Sequence, residues 1–115
     1  MTTRRAVVAG LAACGVALPR RASVQAFPNR TVRIIVPFAP GGGADIVSRL
    51  ISPHLQQSLG QSVIVENRAG AAGRIGTAAV AKSDPDGHTL LVSTESSLVI
   101  APHIGQSIGY DPLKD

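Results

Sequence analysis

The chain has 115 residues, a length that suits one small domain. Eleven Lys and Arg against seven Asp and Glu give a formal net charge of +4, but four of the basic residues and none of the acids precede Phe27. From Phe27 onward the chain is formally neutral, and only 3% of all residues are aromatic. This composition lacks the basic surface that nucleic-acid binding requires, so we expect no nucleic-acid partner.

The beginning of the chain has the layout of a cleavable signal peptide. Two arginines precede an apolar run over residues 6–18, which is too short for a membrane span of about 20 residues. Val24 and Ala26 offer a cleavage position before Phe27. We therefore predict an exported protein with two segments, a signal peptide over residues 1–26 and the mature part over residues 27–115.

Two export routes remain open, general secretion and the twin-arginine route, because the pair Arg4-Arg5 precedes the apolar run. Residues 11–14 also resemble a lipoprotein box that would lipidate Cys14. The apolar run before this cysteine is short, so we rank lipidation below simple cleavage. Cys14 is the single cysteine, and the mature part therefore contains no disulfide and no thiolate metal site.

The mature part alternates between strand and helix patterns. Runs of β-branched and apolar residues predict strands over residues 31–36, 62–66 and 89–94. Apolar residues at helical spacing predict a helix over residues 44–59, and an Ala-rich segment predicts a short helix over residues 75–82. The order β-α-β-α-β, with a helix in each connection, predicts an α/β fold with a parallel sheet and right-handed crossovers.

The first predicted helix carries two further expectations. Five residues at helical spacing predict the face that packs on the sheet: Val47, Leu50, Ile51, His54 and Leu55. Pro53 lies inside the same helix and cannot donate a hydrogen bond to the carbonyl group of Arg49, so we predict a kink or a break there.

The candidate site lies at the carboxyl ends of the strands, where parallel sheets bind ligands. A glycine-rich loop leads from the first strand into the first helix, and free N–H groups at a helix start attract a carboxylate or a phosphate. Hydroxyl side chains follow the third strand and can bind a carboxylate directly or through water. The predicted ligand-binding residues are Phe38, Ala39, Gly41, Gly42, Gly43, Ala44 and Asp45 in the first loop and Ser93, Thr94, Ser96 and Ser97 in the second.

Structural alternatives exist for both segments, since the glycines also suit a tight connection and the hydroxyls also suit capping of a helical turn. The three histidines lack metal-site spacing, and no catalytic set is evident, so we expect no enzyme, no cofactor and no metal. The alternative hypothesis is an α/β enzyme or a nucleotide- or phosphate-binding domain that uses the glycine loop. Against it, the chain has no phosphate-loop motif, and residues 70–76 have glycine spacing G-x-x-G-x-x-G instead of G-x-G-x-x-G.

Residues 27–30 (FPNR) and 32–45 (VRIIVPFAPGGGAD) resemble the start of the Bug family, the substrate-binding proteins of tripartite tricarboxylate transporters. The likeness continues in one register through residues 59–61, 65–68, 70–76, 84–87 and 110–115. It implies a periplasmic-binding-protein-like lobe, the first of two α/β lobes that close on a solute. It also implies that this lobe is incomplete and that the chain is a fragment or a truncated product.

The resemblance further implies a monomeric receptor for a small carboxylate, which it would deliver to membrane transporter subunits. Such proteins hold the solute largely with backbone groups, hydroxyls and bridging waters, and residues 38–45 and 93–97 match their two ligand loops. The chain departs from the family pattern at Ala69, His88 and Glu95. Because Glu95 would repel an anion if it pointed inward, we expect it to face solvent.

Overall fold

The computed structural model describes residues 26–104 and 107–115, so the predicted leader lies outside the described residues except for Ala26. The elements are β1 (Val32–Val36), α1 (Gly43–Leu59), β2 (Val63–Asn67), α2 (Arg74–Ala81), β3 (Thr89–Leu91) and α3 (Ala101–His103). A 3-10 turn, Ala71–Gly73, precedes α2, and a π-helical turn, Ser96–Ile100, precedes α3. Among the described residues, no helix combines the length and the apolar character that a membrane crossing requires.

The three strands form one parallel sheet in the order β2-β1-β3. Ile34 in the middle of β1 lies opposite Val65 on one side and Leu90 on the other. β1 takes the central place because its apolar run is the most continuous, and every residue in it except Arg33 is buried. The predicted α/β fold with a parallel sheet is therefore confirmed, although β3 is shorter than the predicted strand.

The hydrophobic core lies between the sheet and α1. Alternate residues of a strand point to the same face, and those of β1 and β2 that face α1 are buried: Val32, Ile34, Val36 and Val63. Phe38 and Val92, which follow the carboxyl ends of β1 and β3, also pack against this cluster. α2 packs against β1 and β3. The core thus extends to the edge of the sheet from which the candidate loops leave.

The face of α1 that packs on the sheet is not the predicted one. Val47 and Leu50 are 51% and 69% exposed, and Ile51 and His54 are exposed as well. Of the predicted residues, Leu55 alone packs against the core. The buried face instead carries small and polar residues followed by two leucines: Ala44, Asp45, Ser48, Leu55 and Leu59.

α1 can lie close to the sheet because the residues on its buried face are small or form hydrogen bonds within the protein. The hydroxyl of the fully buried Ser48 donates a hydrogen bond to the carbonyl oxygen of Ala44 at 2.7 Å, so its burial leaves no donor unpaired. The face of α1 that was predicted from the spacing of large apolar side chains is therefore exposed in the described part of the chain.

α1 continues through Pro53 as one helix of 17 residues, so the predicted break is wrong. The carbonyl oxygen of Arg49 lacks the amide donor that Pro53 cannot supply. It accepts a hydrogen bond from the hydroxyl of Ser52 at 3.3 Å instead. Gly60 ends the helix in a left-handed conformation with φ +66°, and its amide donates to the carbonyl oxygen of Gln56.

The turn before β3 holds the segment that leads into β1. The ring of Phe27 contacts the ring of His88 edge to face, with a centroid distance of 5.0 Å. Arg30 forms an ion pair with Asp86, and the amide of His88 donates to the same carboxylate at 3.0 Å. These hydrogen bonds, that from His88 first, lower the pKa of Asp86 to about 2. The segment that precedes β1 is therefore anchored to the turn before β3.

Gly76→Ala is expected to destabilise the fold, because α2 lies very close to the end of β1. A Cβ atom at Gly76 would lie 2.7 Å from Cβ of Pro37 and 2.8 Å from the carbonyl oxygen of Arg68. Overpacking of this kind costs about 1–3 kcal/mol, which urea denaturation would measure. The matched control is Gly43→Ala, where a Cβ atom meets nothing within 4 Å. Equal unfolding midpoints for the two variants would contradict the close approach.

Candidate functional site

Three loops meet at the carboxyl end of the sheet. Phe38 lies in the loop after β1, Gly73 in the loop after β2, and Ser97 in the turn after β3. A Cβ atom at Gly73 would lie 3.1 Å from the ring of Phe38 and 3.4 Å from Cβ of Ser97, and its φ is +87°. Glycine is therefore needed at this position both for its conformation and for the contact between the loops.

A pocket of about 530 Å³ opens beside this junction. Its lining consists of the glycine-rich loop and one hydroxyl side chain: Phe38, Ala39, Pro40, Gly41, Gly42, Gly43, Ala44 and Thr94. Except for Pro40, every one of these residues is a predicted ligand-binding residue. The structure thus brings most of the predicted residues together, although it does not show what they bind.

The start of α1 presents backbone donors to this pocket. Gly42 precedes the helix in an extended conformation, and no side chain caps the helix. The first turn begins with the amide of Ile46 donating to the carbonyl oxygen of Gly42 at 3.0 Å, so the amides of Gly43 and Ala44 precede the first intrahelical bond. Such amides, at the positive end of the helix dipole, favour a negatively charged group.

The carboxylate of Asp45 points inward and does not line the pocket. It is 3% exposed and accepts hydrogen bonds from the amide of Gly41 at 2.9 Å, from Nε of Arg49 at 3.0 Å and from Nδ2 of Asn67 at 2.9 Å. The hydrogen bond from Arg49, followed by those from Gly41 and Asn67, lowers the pKa of Asp45 to about 2. Asp45 is therefore ionised and fully paired within the protein.

The hydroxyl cluster contributes one residue to the pocket, Thr94. The other three make internal hydrogen bonds: Oγ of Ser93 lies 2.5 Å from Oγ of Ser97, and Oγ of Ser96 lies 2.6 Å from Oγ1 of Thr94. Tyr110 donates a hydrogen bond to the carbonyl oxygen of Ser97. Glu95 is exposed, as predicted.

Two residues that form hydrogen bonds beside the pocket were absent from the predicted site, Asn67 and Arg49. Asn67 ends β2, and its side chain contacts the loop after β1 through the carbonyl oxygen of Phe38 at 3.2 Å. The sequence contained a partial signal, since Asn67 follows an apolar strand and Arg49 lies four residues after Asp45, the spacing of a helical ion pair. Among residues 26–104 and 107–115, no group of three His, Cys, Asp or Glu residues is arranged to hold a metal ion.

Comparison with known proteins identifies relatives of this chain. A family model described as "Tripartite tricarboxylate transporter family receptor" matches residues 47–115. The chain is 47% identical over 116 residues to Protein BugT of Bordetella pertussis, which covers 98% of this chain and 35% of that protein.

Two solved structures show the same fold. R. palustris Rpa4515 with adipate has a TM-score of 0.73 and 37% identity, and covers 77% of this chain and 30% of that one. MatC (Rpa3494) from Rhodopseudomonas palustris with bound malate has a TM-score of 0.63 and 39% identity, and the match covers 75% of this chain and 29% of that one. The chain thus spans about a third of the length of the curated relatives it matches.

The pairing of Asp45 predicts an acid-dependent loss of stability. Its pKa in the folded state is lowered from 3.8 to about 2, so the ionised form stabilises the fold above pH 4, and this contribution is lost as the pH falls toward 2. In Asp45→Asn the free energy of unfolding should therefore fall less steeply between about pH 4 and pH 2 than in the wild type. Urea titrations at several pH values would measure the slopes. Asp84→Asn, which changes an exposed acid, is the control, and identical slopes for all three proteins would contradict the prediction.

Proposed function

Because the chain belongs to the tripartite tricarboxylate transporter receptor family, we propose that it serves as a periplasmic receptor for a small carboxylate. It would deliver this solute to the membrane subunits of a tripartite tricarboxylate-type transporter. The observation that carries the proposal is the pocket of about 530 Å³, whose lining combines the start of α1, which no side chain caps, with the hydroxyl-bearing Thr94. Membership in the family agrees with the resemblance to Bug proteins found in the sequence.

The lining suits a carboxylate because it offers donors without fixed charge. None of its residues is Lys or Arg, so attraction would come from oriented N–H groups and the helix dipole. Donors of this kind are held in place by the backbone and need no reordering of long side chains. The hydroxyl of Thr94 can donate one further hydrogen bond to the same anion.

A second cavity is less suited to a carboxylate than the pocket beside α1. It has a volume of about 360 Å³ and lies between α2, β3 and the C-terminal residues. Three acidic residues line it, Asp84, Asp111 and Asp115, and their charge would repel an anion. Two of the structural relatives are structures with adipate and with malate, which supports a carboxylate as the class of solute.

The hypothesis of an enzyme or a nucleotide-binding domain receives no comparable support, since the family consists of receptors. We also propose a monomer that is exported by the signal peptide over residues 1–26.

Binding of malate or adipate should raise the unfolding temperature of the protein expressed from its complete gene. At a concentration 100-fold above Kd the gain is about 2.7 kcal/mol. Thr94→Val should weaken binding about tenfold, the effect of losing one hydrogen bond of roughly 1.4 kcal/mol. Thr89→Val, the same change at a residue outside the pocket, is the control for calorimetric titration. A broad carboxylate panel that leaves the unfolding temperature unchanged would refute the proposed function.

Mass spectrometry of the exported protein should find Phe27 at its N-terminus, because Val24 and Ala26 provide the cleavage position. The control is a chain with Ala26→Arg, which removes the small residue before the cleavage position and should retain the leader. An acylated Cys14 at the N-terminus would show that the chain is a lipoprotein instead.

A further inference from the structure

We infer that Asp45, Arg49 and Asn67 are positioning residues that hold the glycine-rich loop in the shape that binds the solute. The inference rests on the proposed function, since it assigns a role in binding to side chains that do not line the pocket. Its basis is a closed ring of hydrogen bonds between α1 and the end of β2.

Each member of this ring contacts both of the others. Nε of Arg49 lies 3.0 Å from both carboxylate oxygens of Asp45, and one terminal nitrogen of Arg49 donates to Oδ1 of Asn67 at 2.9 Å. Nδ2 of Asn67 donates in turn to Oδ1 of Asp45 at 2.9 Å. Donors meet acceptors at every contact, so the ring fixes three side chains relative to one another.

The ring holds the loop at two points. Nδ2 of Asn67 also donates to the carbonyl oxygen of Phe38, at the beginning of the loop, at 3.2 Å. Oδ2 of Asp45 accepts the amide of Gly41, in its middle, at 2.9 Å. Gly41 has φ +89°, a conformation that other residues rarely adopt. The ring therefore stabilises this bend, and the residues that follow it, Gly42, Gly43 and Ala44, line the pocket at the uncapped start of α1.

The same contacts explain how a carboxylate can lie beside an anion site. Ion pairing with Arg49 offsets the negative charge of Asp45, and all four contacts to its oxygens come from inside the protein. Without such pairing, a buried carboxylate close to the pocket would oppose the entry of an anion.

Two interpretations of Asp45 predict opposite effects of Asp45→Asn on solute affinity. If Asp45 acted only as a nearby negative charge, its neutralisation would strengthen the binding of an anion. If it positions the loop, the same variant weakens binding, because the single amide oxygen of Asn cannot accept hydrogen bonds from both Gly41 and Asn67. The sign of the change in Kd thus separates the two, and solutes without an amino group, such as malate and adipate, exclude a direct pairing between Asp45 and a cationic group.

The experiment measures Kd for malate and adipate by calorimetric titration in the wild type, Asp45→Asn and Asn67→Ala. Both variants should raise Kd about tenfold, the factor to which roughly 1.4 kcal/mol corresponds. Glu66→Gln is the matched control, because it makes the same change of charge next to Asn67 at a residue that pairs with Arg33 and Arg68 on the surface. It should leave Kd unchanged or lower it.

A second readout needs no solute. In ¹⁵N-labelled protein the amide of Gly41 should exchange with solvent slowly in the wild type and at least about tenfold faster in Asp45→Ala, which has no side-chain acceptor, while Glu66→Gln resembles the wild type. Equal exchange rates in Asp45→Ala and the wild type would overturn the inference, as would a variant of Asp45 or Asn67 that binds as tightly as the wild type or tighter. Should the variants of Asp45 fail to fold, the affinity of Asn67→Ala still tests the inference.

The failure of this inference can be told apart from the failure of the proposed function. If the wild type binds no carboxylate, the proposed function fails and the positioning role falls with it, whatever the exchange of Gly41 shows. If the wild type binds malate or adipate but Asn67→Ala binds equally well, the inference alone is wrong.

Discussion

Parallel pairing of β1 with a strand on each side is the constraint on which the rest of the structure depends. The carbonyl oxygen of Val36 accepts the amide of Arg68 at 2.8 Å, and that of Ile35 accepts the amide of Val92 at 3.0 Å. The last residues of all three strands are thereby held at one edge of the sheet. The loops that follow must leave from this edge, and they meet where Gly73 lies between Phe38 and Ser97. The pocket is a consequence of sheet topology combined with a residue that has no side chain.

The packing of α1 connects this topology to the chemistry of the pocket. The helix faces the sheet with small and polar residues at its beginning and with leucines at its end. Its first turn can therefore approach the ends of β1 and β2 closely, and the burial of Asp45 is tolerated because every donor around it is used. The same helix turn that completes the core also lines the pocket. Under the proposed function, stability and solute binding share one set of contacts, so changes at Asp45 should affect both.

Much of this arrangement could be predicted from the sequence, and the exceptions have identifiable causes. The apolar runs of β1 and β2 and the glycines after β1 are local signals, and parallel topology then places the loop. The sheet-facing side of α1 escaped prediction because periodicity weighs large apolar residues such as Leu50, whereas this helix buries Ser48. The break at Pro53 was wrong because a neighbouring hydroxyl supplies the missing donor. The role of Asn67 depends on a contact between residues 22 positions apart, which spacing alone does not reveal.

The composition of the lining also limits what the pocket can distinguish. Backbone amides recognise the carboxylate group itself, which adipate and malate have in common. They contribute little to distinguishing one solute from another by the remainder of the molecule. Phe38 and Thr94 are the larger side chains in the lining apart from Pro40, so they are the positions in the described residues where shape and hydrogen-bonding preference can be expressed. Under the proposed function, the backbone would recognise a class of anions. Preference within that class would then come from side chains, and Phe38 and Thr94 are the candidates in the lining.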